Sequence, residues 1–517
     1  MLRIFQSDLT DPDHFVVTLE LVPGREAGGR ALDTVMGIAA DAYADGRVSA
    51  VSITDNPGGN PSLSPDVLGF DIFKLGMDVI VHFTCRDMNR VGMESRALQL
   101  ARMGMKNILA LGGDYSGQGF GGQGAPVFDL DSVQLQILLG MLSERITAGG
   151  DPDTFFSGCA VSPFKRTEGE CFAQYAKLCR KAAAGARFII TQLGFDARKF
   201  DELIRMRRHM HIDLPVLGTV YVLTPKAAEI MHGGGVPGAV VSGRLRDRVR
   251  DEWRRPAEGR QAGIERAARL AAVLKGLGYK GIHLGGIHKS FDTVGRILDR
   301  LDQIAARWTD FLPDFDFPQR NGFYAFPDTR PDQPTPGPLF GTPPPPTISR
   351  LERWRYRALK AAHDIFFDRH HPAAPACRTL ARLLDGNWKS RLLTDLLEDP
   401  VKQVLLQCLR CGDCGIQHVA FLCPESQCPK HTRNGACGGS RDSRCEVHPD
   451  RRCVWFRAHA RLADDNATDQ MIKGCVPPRM WELNQTSAWI NFHLNRDHQS
   501  ASNEIAQRCG THCRRTI

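Results

Sequence analysis

Hydrophobic residues in the first part of the chain fall into eight short runs. Each run is almost continuously apolar, which is typical of strands that are buried on both faces. Stretches with a helical period separate most of the runs, at intervals of about 30 residues. The runs, from about Phe15 to about Trp308, are FVVTLE, SAVSIT, DVIVHF, NILALGGD, FFSGCAV, ARFIITQ, LPVLGTV and GIHLGGI.

This alternation of strands and helices predicts an α/β fold. Eight strand–helix units in roughly 300 residues favour a (β/α)8 TIM barrel, which needs about 250 residues. An open, doubly wound parallel sheet has strands that look the same locally, and it remains the alternative.

Several of the predicted strands end on a polar residue. In a barrel these ends converge on one mouth, where active sites are built. A single polar residue at a strand end is more often a capping group, but five ends of eight favour a functional mouth. The five residues are Glu20, Thr54, His82, Asp114 and Gln192.

The composition changes after the predicted barrel and divides the chain into three parts. Residues 1–313 form the barrel. Residues 314–347 culminate in PDQPTPGPLFGTPPPPT and predict a proline-rich linker, because proline removes backbone donors and stiffens the chain. Residues 348–517 predict a smaller, α-rich domain that carries a cluster of cysteines and binds metal.

The overall charge excludes some classes of partner. Sixty-six basic and 58 acidic residues leave a net charge of +8 among 517 residues, which permits an anionic substrate but does not indicate a nucleic-acid binder. No run of about twenty apolar residues occurs, so no membrane span is predicted. The N-terminus lacks the pattern of a secretory signal, so we expect a cytoplasmic protein.

Half of the 16 cysteines fall between Cys408 and Cys453. In a chain without a secretory signal, such density indicates metal or redox chemistry rather than disulfides. The spacing C-x2-C-x2-C is typical of [4Fe–4S] ligands, whereas structural zinc more often uses paired C-x2-C motifs. Both an iron–sulfur cluster and zinc therefore remain open. Two sets of four ligands are predicted, namely Cys408, Cys411, Cys414 and Cys423, and Cys428, Cys437, Cys445 and Cys453.

Ordered motifs along the first 300 residues resemble the methylenetetrahydrofolate reductase family. Each fragment alone is weak, but their order and spacing together are specific. The motifs are TLELVP at 18–23, VSIT at 51–54, HFTC at 82–85, ALGGD at 110–114 and AGARFIITQ at 184–192.

The resemblance implies a catalytic role for three residues. Glu20 matches the general acid that protonates N10 of 5,10-methylenetetrahydrofolate, and its apolar strand predicts a pKa raised by burial. Asp114 matches the aspartate that holds the pterin. Gln192 matches a glutamine that contacts the folate, and Lys289 falls at a further substrate position.

The resemblance also implies a flavin, FAD or FMN, with NAD(P)H as a possible electron source. Thr54, His82 and Gly113 match positions in the flavin pocket. Arg180 and Lys181 match a basic pair near the flavin's phosphates. The sequence departs from the family pattern at Gly112, which replaces an arginine, and at Gln174 and Lys177, which replace acidic and amide flavin contacts. These departures leave the pterin and acid residues more secure than the adenine end of FAD, so FMN or a differently held FAD stays an alternative.

The cysteine-rich segment resembles a C-terminal module that accompanies certain bacterial members of this family. The leading hypothesis is therefore a flavin-dependent oxidoreductase that interconverts 5,10-methylene- and 5-methyltetrahydrofolate. A homo-oligomer and a possible electron-donor protein are expected as partners. The alternatives are a flavin-independent folate-binding methyltransferase with a zinc site, and a non-catalytic scaffold.

Overall fold

The computed structural model describes residues 4–150, 154–327, 348–386, 388 and 398–500. Eight parallel strands within these residues close into a barrel, each paired with its neighbours in the sequence and the last with the first. The predicted TIM barrel is therefore confirmed, and the open sheet is excluded. The strands are β1 Val16–Leu21, β2 Ala50–Ile53, β3 Val79–Thr84, β4 Asn107–Leu111, β5 Phe156–Val161, β6 Ile189–Thr191, β7 Val216–Tyr221 and β8 Gly281–Gly285.

Helices surround the barrel, and a short helix precedes the first strand. In chain order they are α1 Ile4–Thr10, α2 Arg30–Asp45, α3 Pro65–Lys74, α4 Arg90–Arg102, α5 Ser132–Ala148, α6 Glu168–Ala183, α7 Ala197–His209, α8 Pro225–His232, α9 Gly243–Glu252, α10 Pro256–Gly276 and α11 Asp292–Ile304. A 3-10 segment, Ala305–Phe315, follows the last of them.

The strands form where the sequence is continuously apolar, because their side chains face either the barrel interior or the surrounding helices. Every residue of β2 and β3 is buried, as the near-absence of alternation predicts. Helix α1 closes the amino-terminal end of the barrel. Its Phe5 packs edge-on against Phe188, with ring centroids 5.2 Å apart, so the opposite end is the open mouth.

The proline-rich part of the predicted linker, residues 328–347, lies outside the described residues. The preceding residues run back along the barrel, where the backbone N–H of Phe323 donates to the carbonyl of Arg166. The hydroxyl of Tyr324 donates to Asp196 at 2.6 Å.

The described C-terminal residues form a compact set of short helices and loops, which we call the module (residues 348–500). Its helices are α12 Arg350–Phe366, α13 Ala374–Leu384, α14 Asp399–Leu406, α15 Pro424–Gln427, α16 Val454–Asp464 and α17 Ala488–His493. None of the helices in the described part of the chain has both the length and the apolar character needed to cross a bilayer.

The module and the barrel share one hydrophobic core. A single cluster of buried side chains runs from the barrel strands through α6 to Trp455 and Leu462 of the module. Helix α16 packs on α6, with the rings of His459 and Phe172 centred 5.1 Å apart. An outer helix of a TIM barrel normally exposes one face, but thirteen consecutive residues of α6, from Gly169 to Lys181, are buried.

Candidate active site

The polar residues predicted at the strand ends lie around the carboxyl end of the barrel. Glu20 is the penultimate residue of β1, Thr54 follows β2, and His82 lies in β3. Asp114 follows β4, and Gln192 follows β6. Because all eight strands are parallel, these residues share one rim, as in other TIM barrels.

Glu20 forms the centre of a cluster of polar groups. Its carboxylate lies 3.7 Å from Nε2 of His283 in the adjacent strand β8, and its side chain is 27% exposed. The other ring nitrogen of His283 shares a hydrogen bond with the hydroxyl of Thr18 at 2.8 Å. One ligand atom each from Glu20, His82 and His283 lies within 4.8 Å of the other two, a spacing that also suits a metal ion.

The sequence-based prediction of a raised Glu20 pKa is wrong for the protein without substrate. Burial is the largest influence and raises the pKa, but the hydrogen bond and charge of His283 lower it. The charge of His288 lowers it further, and the pKa of Glu20 lies below its ordinary value of 4.5. The carboxyl of Glu20 is therefore ionised at neutral pH in the protein without substrate.

Three buried polar atoms beside Glu20 have no hydrogen-bond partner within the described residues. They are the hydroxyls of Ser52 and Thr54 and Nε2 of His82. Burial lowers the pKa of His82 to about 4, so its imidazole is neutral at neutral pH. Buried polar groups are nearly always satisfied, so a water molecule or a ligand is expected to bond to these atoms.

Two residues of this cluster were not predicted from the sequence. Tyr221 ends β7 and so carries the strand-end signal that identified Glu20, whereas His283 is a polar residue in the middle of β8, within the run GIHLGGI. Burial and then the charge of Glu20 raise the pKa of Tyr221, which keeps its phenol protonated as a donor at the mouth.

Asp114 is held at the mouth by the loop that follows β2. The backbone N–H of Gly58 donates to its carboxylate at 3.0 Å. Gly113, just before it, has φ +85°, and a Cβ there would lie 3.1 Å from the side chain of Thr84. The sharp turn into Asp114 therefore requires glycine at position 113.

The two remaining predicted folate contacts differ in availability. The amide of Gln192 is engaged at both ends, because it donates to the carbonyl of Pro237 at 2.9 Å and accepts from the N–H of Leu193 at 2.8 Å. Lys289, beyond the end of β8, is exposed.

Three residues of α6 hold the module, and one of them, Arg180, belongs to the pair predicted near the flavin's phosphates. Gln174 donates to the carbonyl of Cys437 at 2.9 Å, and Lys177 donates to the carbonyl of Gly435 at 3.2 Å. Arg180 donates to the carbonyl of Lys473 at 3.2 Å. Lys181 turns inward and donates to the carbonyl of Ala160 at 2.6 Å.

The module packs closely on α6 at Lys177. A Cβ on Gly435 would lie 2.7 Å from the Cβ of Lys177, so the module's backbone lies directly on the helix. Both FAD and FMN carry a phosphate. A flavin whose phosphate is held by α6, as the resemblance implies, therefore does not fit these residues.

Each predicted set of four cysteines lines its own small cavity in the module. Cys408, Cys411, Cys414 and Cys423 line one, together with Lys402. Cys428, Cys437, Cys445 and Cys453 line the other, together with Lys430 and Glu446. Soft thiolate ligands in sets of four suit zinc or an iron–sulfur cluster.

The sulfur atoms of these sets are not packed as tightly as a zinc tetrahedron. Tetrahedral Zn–S bonds of about 2.3 Å put sulfurs about 4 Å apart. Among the described residues, no three cysteine sulfurs lie within 4.8 Å of one another. Burial raises the pKa of Cys411 to about 12 and that of Cys414 to about 11, so a bound cation must displace their protons.

Comparison with known families agrees with this architecture. The model of the family described as methylenetetrahydrofolate reductase matches residues 7–302, more than half of the chain. The chain belongs to the methylenetetrahydrofolate reductase family. A second family model, described as the methylene-tetrahydrofolate reductase C terminal, matches residues 392–482 of the module.

Individual relatives are distant. A probable methylenetetrahydrofolate reductase (NADPH) from Caenorhabditis elegans is 29% identical over 144 residues, which is 28% of this chain and only 20% of that protein. An uncharacterized protein from Clostridium thermocellum that binds two copies of 5-methyl-5,6,7,8-tetrahydrofolic acid is 10% identical, with a TM-score of 0.38, and the match covers 59% of this chain and 99% of that one. A 2,3-dimethylmalate lyase is 12% identical with a TM-score of 0.34, over 60% of this chain and 87% of the other.

Proposed function

We propose that this protein reduces 5,10-methylenetetrahydrofolate to 5-methyltetrahydrofolate at the barrel mouth, with NAD(P)H as the reductant. The observation that carries the proposal is the Glu20 cluster, where an ionisable carboxyl lies among buried polar atoms without protein partners. Membership of the reductase family supports the reaction class. The name of the nematode relative supports NADPH as the type of reductant.

The reaction balances without an additional oxidant or reductant. The dihydronicotinamide supplies a hydride, which forms the new C–H bond at the bridging methylene carbon. The bond from that carbon to N10 breaks, and its electron pair stays on N10. Glu20 gives N10 a proton, so one hydride and one proton convert the bridge into a methyl group on N5.

The residues around Glu20 supply and hold this proton. A folate laid over the mouth removes the water that still reaches the carboxyl, and this desolvation favours the protonated form. His283, at 3.7 Å, lies close enough to return a proton to Glu20 after each turnover. The phenol of Tyr221 adds a second donor on the neighbouring strand.

Asp114 orients the pterin in this proposal. A carboxylate is an acceptor only, so it pairs with the N–H groups of an amino-pyrimidine edge. The bond from Gly58 fixes one carboxylate oxygen and leaves the other for the substrate.

No flavin step enters the proposal. Of the two side chains predicted to hold the flavin's phosphate, Arg180 donates to a backbone carbonyl of the module and Lys181 donates to the carbonyl of Ala160 in the barrel. Gly435 of the module lies directly on the same helix. Hydride transfer directly between the two substrates requires only that both rings stack in one mouth.

The module's cysteines serve as two metal centres in this proposal. The first set is Cys408, Cys411, Cys414 and Cys423, and the second is Cys428, Cys437, Cys445 and Cys453. The C-x2-C-x2-C spacing of the first set supports an iron–sulfur cluster there over tetrahedral zinc. Metal bound in either set would cross-link loop segments of the module and add its binding free energy to folding.

Substitution of Glu20 tests the assignment of the acid. In the Glu20→Gln variant we expect the turnover number to fall by about 10² to 10⁴, since a positioned acid contributes that factor. The affinity for 5-methyltetrahydrofolate, measured by titration calorimetry, should change little. Glu26→Gln, an exposed carboxyl on the loop after the same strand, is the matched control. Full NAD(P)H-dependent activity in Glu20→Gln would remove Glu20 from the mechanism.

A wild type that transfers the methyl group without consuming NAD(P)H would instead favour the methyltransferase.

A further inference from the structure

A lysine of the module reaches the barrel mouth beside Asp114. Nζ of Lys430 donates to the backbone carbonyl of Gly113 at 2.8 Å. Its side chain is only 4% exposed and forms an ion pair with Glu446, which is 7% exposed. Lys430 also lines the cavity of the second cysteine set, so it connects that cavity with the rim of the barrel.

The segment that Lys430 contacts is the turn that presents Asp114. Asp114 lies within electrostatic range of the Lys430 ammonium. The ring of Tyr115 stacks on Phe128, with centroids 6.2 Å apart and planes at 17°. The Lys430 ammonium lies 5.9 Å from the centre of the same Phe128 ring. Lys430 of the module therefore contacts this turn in two ways, through the backbone carbonyl of Gly113 and through the Phe128 ring that stacks on Tyr115.

The contact with Gly113 distinguishes the Lys430–Glu446 pair from an ion pair that serves only the structure of the module. An ion pair buried within the module would need only Glu446, but the ammonium also donates across the domain boundary to the residue before a predicted substrate ligand. A buried charge needs both a counter-charge and hydrogen bonds, and here Gly113 supplies the hydrogen-bond acceptor outside the module.

We propose that Lys430 is a positioning residue of the folate site, through which the module fixes the turn and the charge of Asp114. The inference rests on the proposed function, because it assumes that Asp114 binds the pterin. Lys430 does not touch the reacting atoms, so it acts on substrate binding in the ground state and the transition state alike. Its loss should therefore raise KM and leave kcat nearly unchanged.

Four variants of the full-length protein separate this role from a structural one. Lys430→Met removes the charge but leaves Glu446 buried without its partner, which alone destabilises the fold. Lys430→Met/Glu446→Gln removes both charges and is the decisive variant. Glu446→Gln alone keeps the bond from Lys430 to Gly113. Lys430→Arg restores a cation at the same position.

The readouts are KM and kcat for 5,10-methylenetetrahydrofolate, the Kd of 5-methyltetrahydrofolate by calorimetry, and the melting temperature. We expect the double variant to raise KM and Kd about tenfold, as the loss of one charge-assisted contact does, with kcat within about twofold. Glu446→Gln, which keeps the bond from Lys430 to Gly113, should bind folate more tightly than the double variant, and Lys430→Arg should recover part of the lost affinity.

A double variant that melts at a lower temperature but binds folate with wild-type affinity would overturn the inference. A fall in kcat at unchanged KM would overturn it as well. A wild-type protein that does not bind 5-methyltetrahydrofolate would contradict the proposed function itself, so the two failures are distinguishable.

Discussion

Glu20 sits between two opposing influences, burial and a set of neighbouring imidazoles. Burial favours the neutral acid, whereas His283 and, more weakly, His288 favour the carboxylate and prevail in the substrate-free protein. A general acid with a pKa below 4.5 must gain its proton as the substrate binds. In the proposed reaction, Glu20 therefore becomes an acid only when the bound folate has removed water from its carboxyl.

Removing His283 should raise the pKa of Glu20, because burial then acts with less opposition. In His283→Gln we expect the carboxyl resonance of Glu20, followed by carbon-13 NMR, to titrate at higher pH than in the wild type. His288→Gln is the matched control, since its charge is the weakest of the named influences on Glu20. Equal titration in the wild type and in His283→Gln would contradict the assignment.

The same shift has a consequence for stability. A carboxyl with a lowered folded-state pKa stabilises the fold above its unfolded value of about 4.5, and this contribution disappears as the pH falls through the folded pKa. His283→Gln should therefore lose free energy of unfolding near neutral pH. The difference from the wild type should shrink below pH 4.5.

Sequence patterns identified most of the rim but not its electrostatics. Glu20, Thr54 and Asp114 stand at or just beyond strand ends and His82 lies two residues before one, so the local pattern is sufficient to find them. The pKa of Glu20 depends on His283, which is far away in the sequence and becomes a neighbour only when β8 closes the barrel onto β1. No local pattern carries that information.

At the level of secondary-structure elements, Asp131, the residue directly before α5, joins the barrel to the module. One carboxylate oxygen of Asp131 caps α5 by accepting from the N–H groups of Val133 and Gln134. The other accepts from the N–H groups of Arg433 and Asn434 at 3.1 and 2.8 Å. The same side chain thus caps the beginning of a helix and anchors a loop of the module.

Loss of this cap should lower the free energy of unfolding more than loss of a cap that serves one helix only. Asp131→Ala removes a helix cap and the acceptor of two buried module donors, so we expect a loss of about 3 kcal/mol or more in urea unfolding. Thr224→Ala, which removes a cap of α8 alone, should cost about 1 kcal/mol. Equal costs would mean that the module does not depend on Asp131.

Helix α6 illustrates why some site residues could not be assigned from the sequence. Gln174, Lys177 and Arg180 recur every three residues, which is a pattern suited equally to solvent and to a phosphate. The structure pairs them with backbone carbonyls of the module. Every residue type supplies a backbone carbonyl, so the sequence does not show which face of α6 the module covers.

At the scale of the whole molecule, the barrel and the module form one continuous core. The spacing of the cysteines was enough to divide eight of them into two sets, and each set lines one cavity. The docking of the module over α6 required the structure, because it depends on the shapes of two distant segments.

Metal at the second set should therefore support the barrel as well as the module. In Cys428→Ser we expect the metal content to fall and the melting temperature of the whole protein to drop by roughly 5 °C or more, as a single transition. Cys377→Ser, which lies in α13 outside both sets, should retain both properties. A barrel transition unchanged by loss of the metal would contradict the shared core.

Isotope transfer tests the central claim most directly. The purified protein, with its flavin content measured, is supplied with 5,10-methylenetetrahydrofolate and NAD(P)H deuterated at C4 of the nicotinamide ring. Direct hydride transfer predicts one deuterium in the methyl group of 5-methyltetrahydrofolate and no extractable flavin. A methyl group without deuterium, formed by a protein that releases FAD or FMN on denaturation, would contradict the account.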